Sequence, residues 1–248
     1  MKRYLMLIAL VVFVNNAFSQ GSELAVHLFG IGSLPTGDYA KDITSDSKLT
    51  RRSGFAIGSK IGLAATGYGA GFEMVAPVGF PGLQWLFSTK AIVNSSVTNA
   101  LQTAFRAQLA DSVAIELDYG SWLNVPVMTG FRYDYQFSPA YTAYGLLQAG
   151  INFSKMAART ARVGRLVVEK AEYDFARDFG FEFGAGLLLE KRYNLGFRYL
   201  SLAKPRYEGH KTLSETIFPE IITRDIAVLG EERSISMFIV TLGIQLFK

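Results

Sequence analysis

Apolar residues alternate with polar or small residues along several stretches, and this period of two constrains the fold more than any other feature of the sequence. In Val125–Tyr135 the odd positions are mostly β-branched or aromatic, whereas the even positions include Arg132 and Asp134. Phe175–Leu189 repeats the pattern, and a helix there would bury Glu182 among phenylalanines. Alternation of this length predicts β-strands with one apolar face.

The same alternation marks eight segments, which we interpret as eight strands. They are Ser22–Leu34, Gly62–Val75, Leu83–Asn94, Trp122–Tyr135, Tyr141–Phe153, Phe175–Leu189, Asn194–Ala203 and Ser234–Phe247. The connections between them are alternately short and long. The short ones are Pro77–Gly82, Phe137–Pro139 and Glu190–Arg192.

Short turns at one end and long loops at the other are typical of bacterial outer-membrane barrels. The sequence therefore predicts an all-β fold, an eight-stranded antiparallel up-and-down transmembrane β-barrel with long extracellular loops. A soluble sandwich or lipocalin-like barrel is the alternative fold. A ten-stranded barrel is also open, with Gly54–Lys60 and Ser112–Leu117 as its additional strands.

The N-terminus has the features of a secretory signal peptide. Lys2 and Arg3 precede the apolar run Tyr4–Val14, which is followed by small and polar residues. We expect residues 1–20 to be cleaved and residues 21–248 to form the barrel domain. The exported chain then carries 23 basic against 21 acidic residues, a balance that does not favour nucleic acid as a partner. No later apolar run is long enough for a transmembrane helix.

Charged residues of both signs fall on the polar faces of the predicted strands. They are Glu73, Asp134 and Glu182, with Lys90, Arg132 and Arg198. An eight-stranded barrel has an interior that side chains fill, and buried charges need partners. We therefore predict an ion-pair network in the lumen. Glycines on the same faces, such as Gly184 and Gly196, leave room for the long side chains.

Four places along the chain carry short motifs: a Pro-x-Gly-Asp-aromatic exit from the first strand, a Gly-alternating second strand, the sixth and seventh strands, and the C-terminal strand. They are Leu34–Tyr39, Ala65–Glu73, Phe181–Gly186 together with Gly196–Leu200, and Val240–Phe247. These motifs resemble the small outer-membrane β-barrel proteins, the OmpA-barrel and OmpX-like "porin family" type abundant in Bacteroidota. The resemblance implies a location in the bacterial outer membrane. It also implies a lipid-facing aromatic residue at the C-terminus, read by the barrel-assembly machinery. This sequence departs from that pattern, because Leu246 takes the usual aromatic position and Lys248 follows Phe247.

Catalytic and metal-binding candidates are few. The chain has no Cys, which excludes thiolate metal sites, and only His27 and His210. Ser201 and Ser214 lie near His210 in sequence and would be the nucleophiles of a lipid-modifying enzyme. Nothing in the sequence orients either pair, so we predict no enzymatic activity, no cofactor and no metal.

One predicted loop is rich in cations. Arg159, Arg162 and Arg165 lie in it, and the planar guanidinium suits phosphate. We predict that these arginines contact lipopolysaccharide phosphates at the cell surface. The expected partners are therefore outer-membrane lipid and, during biogenesis, the assembly machinery; we expect a monomer.

The function predicted from these features is that of a non-enzymatic integral outer-membrane protein with a closed lumen and a structural or surface-interaction role. The first alternative is a narrow porin or small-solute channel with ten strands. The second is an outer-membrane lipid-modifying enzyme.

Overall fold

The computed structural model describes residues 24–41, 62–99, 102, 115–164, 166–217 and 220–247. Thirteen β-strands and one short helix occur in these residues. The strands are β1 (Ala25–Pro35), β2 (Ala64–Pro77), β3 (Leu83–Ser96), β4 (Ile115–Tyr119), β5 (Trp122–Gln136), β6 (Tyr141–Lys155), β7 (Arg159–Val163), β8 (Leu166–Tyr173), β9 (Phe175–Leu189), β10 (Tyr193–Ser201), β11 (Arg206–Ile217), β12 (Glu220–Glu232) and β13 (Ser236–Phe247). The helix, α1, spans Gly37–Ala40.

Eight of the strands form a closed antiparallel barrel in the order β1-β13-β10-β9-β6-β5-β3-β2. Strand β1 closes it by pairing with β13 on one side and with β2 on the other. The predicted fold class is confirmed, and the ten-stranded alternative is wrong. Of its two additional strands, Gly54–Lys60 lies outside the described residues. The other, Ser112–Leu117, overlaps β4, which is not a barrel strand.

The eight barrel strands correspond to the eight alternating segments. Strand β9 has the predicted bounds, and the others differ by at most three residues at either end. The side chains of these strands also alternate between the outer wall and the interior, as the sequence pattern predicts. Phe179, Phe181 and Phe183 are exposed on the outer wall, whereas Leu86 and Ile92 of β3 are fully buried inside.

The short turns and both ends of the described barrel lie at one end of the molecule, which we call the turn end. Ala25 at the start of β1 is paired with Val75, beside the β2–β3 turn. Val26 is paired with Phe247 near the chain's end. In the β9–β10 turn, Glu190 and Lys191 both have positive φ angles, of 52° and 54°. The long connections leave from the opposite end, the loop end.

The other five strands form a second antiparallel sheet at the loop end, in the order β12-β11-β8-β7-β4. Each continues a barrel strand after a short break, and the order of the barrel strands that they continue is β13-β10-β9-β6-β5. Five neighbouring strands of the barrel wall therefore extend beyond the barrel. This loop-end sheet corrects the expectation of irregular loops in these connections.

Candidate functional site

The middle of the barrel interior holds a cluster of buried charges. Arg198 of β10 contacts the carboxylates of Glu73 and Glu182, from β2 and β9, through Nη1, which lies 3.1 Å from Glu182 Oε1. Lys90 Nζ of β3 lies 2.7 Å from Glu182 Oε2. All four side chains are fully buried. Arg198–Glu73 and Lys90–Glu182 each join strands that are not neighbours, so these two ion pairs cross the barrel. Arg198–Glu182 links the neighbouring strands β10 and β9.

A second charged layer lies nearer the turn end. Arg132 Nε and Nη2 donate to the carboxylate of Asp134, at 2.6 and 3.2 Å. Gln84 Nε2 donates to the same carboxylate at 2.9 Å. The Arg132 guanidinium also lies 4.1 Å above the ring of Tyr144, a cation–π contact. Tyr144 Oη in turn donates to Asn194 Oδ1 at 2.6 Å.

The structure thus places all six predicted lumen charges on the inner face and brings them into two layers. Glycines make room for the larger side chains. A Cβ atom on Gly186 would lie 2.4 Å from the Tyr144 ring, and one on Gly184 would lie 2.7 Å from Arg198 Cγ. These inward glycines are therefore sterically required, because any side chain would collide with Tyr144 or Arg198.

An aromatic group occupies the loop end of the barrel interior, and the sequence did not indicate it. Tyr39 of α1 is fully buried and meets Trp122 edge-on, with ring centroids 5.2 Å apart. Trp122 meets Tyr207 at 6.0 Å. Asn124 Nδ2 donates to Tyr39 Oη at 3.2 Å, and Tyr207 Oη shares a 2.7 Å hydrogen bond with Ser154. Tyr39, Trp122 and Tyr207 form what we call the aromatic plug.

A cavity of about 440 Å³ opens at the turn end. Its lining includes Gln84, Arg132, Asp134, Thr142 and His27. The Arg132–Asp134 layer is part of its wall, so the cavity is a vestibule below the charged layers.

The three arginines predicted to bind phosphate are not brought together. Arg159 Nε lies 2.8 Å from Glu169 Oε1, and Glu169 also accepts from Lys211 at 3.0 Å. Arg162 lies three residues further along β7, so alternation turns it to the other face of the sheet, where it pairs with Glu116 at 3.4 Å. Arg165 lies outside the described residues. The prediction assumed a loop, in which side-chain directions are free. Alternation along β7 instead places Arg159 and Arg162 on opposite faces.

A partly buried polar cluster lies where the loop-end sheet meets the barrel. Tyr173 Oη donates to Glu231 Oε2 at 3.0 Å, and Glu231 also contacts Arg233. Burial raises the pKa of Tyr173 above its ordinary value, with Glu231 adding to the effect and Arg159 opposing it. Burial likewise raises the pKa of Tyr119. Both phenols therefore remain neutral at ordinary pH, and Tyr173 donates to Glu231.

Candidates for catalysis are not assembled in the described part of the chain. His210 is paired across strands with Ala227 and Glu172, rather than with a serine. Ser214 shares a 3.4 Å hydrogen bond with Thr223. In the residues that the structure describes, no group of acidic or histidine side chains could hold a metal ion. No helix among them has both the length and the apolar composition to cross a membrane.

No protein-family model and no curated protein sequence matches this chain. Several solved structures are similar at low identity. Neisserial surface protein A is 9% identical, with 90% of this chain and 96% of that chain covered and a TM-score of 0.40. Ail, the attachment invasion locus protein of Yersinia pestis, is 9% identical, with coverages of 91% and 99% and a TM-score of 0.38. The N-terminal β-barrel domain of Pseudomonas aeruginosa OprF is 8% identical, with the same coverages and TM-score. The fold described above rests on the strand pairing of this chain alone.

Proposed function

We propose that this protein is an integral outer-membrane barrel with a closed lumen. Its role is structural or surface-interacting rather than enzymatic. The observation that carries the proposal is the inversion of polarity across the barrel wall. Charged residues such as Arg198 and Glu182 are fully buried inside, whereas leucine, isoleucine and phenylalanine side chains are exposed outside.

The outer wall suits lipid better than water. Exposed apolar side chains cover several neighbouring strands; among them are Leu147, Ile151, Phe179, Phe183, Leu195, Phe197, Leu242 and Ile244. A contiguous apolar surface of this extent is rare on soluble monomers. A closed barrel also leaves no unpaired strand edge, which a bilayer requires. Tyr135, Tyr141 and Tyr193 are exposed near the turns, where an aromatic girdle would meet the lipid headgroups.

Two obstacles along the lumen support a closed barrel. The ion pairs of Lys90 and Arg198 cross the middle of the lumen, and the aromatic plug occupies the loop end. Breaking an ion pair between fully buried partners is costly, so these contacts persist. The interior of an eight-stranded barrel is just wide enough for side chains to fill.

The loop-end sheet is the part available for surface interaction. In this proposal the turn end faces the periplasm, so the sheet stands at the cell surface. Its outer face presents Glu116, Arg162, Lys170 and His210, a polar surface of mixed charge. The barrel is monomeric, the assembly machinery inserts it, and a cleaved signal peptide exports it.

The two tryptophans allow a direct test of membrane embedding. Trp85 lies on the outer wall, and Trp122 is buried in the lumen. After refolding into vesicles that contain brominated lipids, the Trp122→Phe variant, which retains Trp85, should lose most of its fluorescence. The matched Trp85→Phe variant, which retains Trp122, should lose little. Equal quenching of both variants, or quenching of neither, would contradict the proposal that the barrel spans a membrane.

A further inference from the structure

Two cations stand side by side on the outer wall, at the loop end of the barrel. Lys155 is the last residue of β6, and Arg177 is the third residue of β9. Both are exposed on the outer face. Lys155 is paired with Phe175, and Phe153 with Arg177. The two cations are therefore diagonal neighbours about 7–8 Å apart at the backbone, within reach of one ligand for long side chains.

Neither cation has an acidic partner among the ion pairs of the described residues. Two of the nearby acids, Asp178 and Glu172, are engaged elsewhere, although Lys155 lies close enough to Glu172 to add to the lowering of its pKa by Lys170. Asp178 accepts from the backbone N–H groups of Phe179 and Lys204, at 2.7 and 3.0 Å. Glu172 pairs with Lys170 at 2.6 Å. Lys155 instead lies 5.8 Å from the ring centroid of Phe175.

A continuous aromatic surface lies on the wall below the two cations. It runs from Phe181 to Phe183 and across the neighbouring strands to Tyr199, Phe238 and Phe197. Successive ring centroids in this series are 6.5, 5.4, 5.2 and 5.3 Å apart. The nearest of these rings, Phe181, lies four residues below Arg177 on the same strand, about 13 Å along it.

We propose that Lys155 and Arg177, together with this aromatic surface, form a binding site for a phosphorylated glycolipid of the outer leaflet, of the lipid A type. The proposal rests on the membrane orientation proposed above. The two cations would hold a phosphate at the headgroup level, since guanidinium and ammonium groups are the usual phosphate donors. The rings would hold the acyl chains. Arg159 and Arg162 are less suited to binding phosphate, because each is already paired with a carboxylate.

Binding of defined lipids to the refolded full chain tests the site. The probes are diphosphorylated lipid A, the same lipid without phosphates, and phosphatidylglycerol. The phosphorylated lipid A should bind at least about tenfold more tightly than the dephosphorylated form, as charge-assisted hydrogen bonds to phosphate require. The Lys155→Gln/Arg177→Gln double variant should lose this preference. The matched Lys191→Gln/Arg192→Gln variant removes the same charge at the turn end and should keep it.

Three results would overturn this inference: no preference for phosphate in the parent protein, an equal loss in the turn-end variant, or equally tight binding of phosphatidylglycerol. The tryptophan experiment distinguishes failure of the glycolipid site from failure of the proposed membrane barrel. If brominated lipid quenches Trp85 but phosphate has no effect, the barrel stands in the membrane and only the glycolipid site is wrong.

Discussion

Arg198 lies between two buried carboxylates, and its removal would leave both without their guanidinium. Its side chain is fully buried, as are those of Glu73 and Glu182. The Arg198→Ala substitution should therefore lower the free energy of unfolding by about 3–5 kcal/mol, the usual cost of leaving a buried charge unpaired. Denaturant unfolding of the refolded protein in lipid vesicles measures this change.

Arg162→Ala is the matched control for that substitution. Arg162 pairs with Glu116 across the loop-end sheet, and their side chains are 39% and 65% exposed. Exposed pairs contribute about 0–1 kcal/mol, so this variant should unfold almost as the parent protein does. Similar losses in the two variants would mean that the lumen charges are solvated.

At the scale of elements, the barrel strands were predictable and the loop-end sheet was not. Each barrel strand has one face toward the lumen, with polar or small residues, and one apolar outer face. The alternation is therefore strong, as in Phe175–Leu189. Strand β11 instead contains polar residues on both faces, with His210 and Thr212 on one and Lys211 on the other. Without an apolar face, a strand leaves no periodic trace in the sequence.

The six lumen charges could be found from strand parity, but not all of their partners could. Arg132 and Asp134 lie two residues apart on one face of β5, so parity alone brings them together. The contacts of Arg198 with Glu73 and of Lys90 with Glu182 depend instead on which strands face each other across the barrel. The aromatic plug was missed for a related reason. Tyr39 enters the barrel from α1, a helix of four residues with no amphipathic repeat to indicate it.

The loop-end sheet should unfold at alkaline pH. Burial raises the pKa values of Tyr119, Tyr173 and Tyr207 above those of the unfolded chain. A raised folded-state pKa contributes stability that is present below the unfolded value, about 10 for tyrosine, and is lost as the pH rises above it. The phenolate absorbance of these residues should therefore appear together with unfolding of the sheet.

The Tyr119→Phe variant tests this linkage. It keeps the ring and removes one titrating group, so the alkaline midpoint of unfolding should move to higher pH. Far-ultraviolet circular dichroism and phenolate absorbance, followed together, measure it. Ionisation of Tyr119, Tyr173 and Tyr207 while the sheet stays folded would contradict the account.

At the scale of the whole molecule, the orientation in the membrane is testable by single-cysteine labelling, because the chain has no Cys. Lys170→Cys places a thiol on the exposed face of the loop-end sheet, and Lys191→Cys places one in the β9–β10 turn. A membrane-impermeant maleimide added to intact cells should label the Lys170→Cys protein only. Both should react after the outer membrane is permeabilised.

Labelling of the Lys191→Cys protein in intact cells, with the Lys170→Cys protein protected, would reverse the orientation. The lipid site at Lys155 and Arg177 would then lie in the periplasmic leaflet, and the glycolipid proposal would fail with it.

Single-channel recording in planar bilayers tests the closed lumen most directly. The parent protein should give no steady conductance, because the aromatic plug occupies the loop end and the ion pairs of Lys90 and Arg198 cross the middle of the lumen. The Tyr39→Ala variant should also stay closed, since the ion pairs of Lys90, Arg198, Glu73 and Glu182 remain below the plug. Reproducible conductance steps from the folded parent protein would contradict the account and indicate a channel.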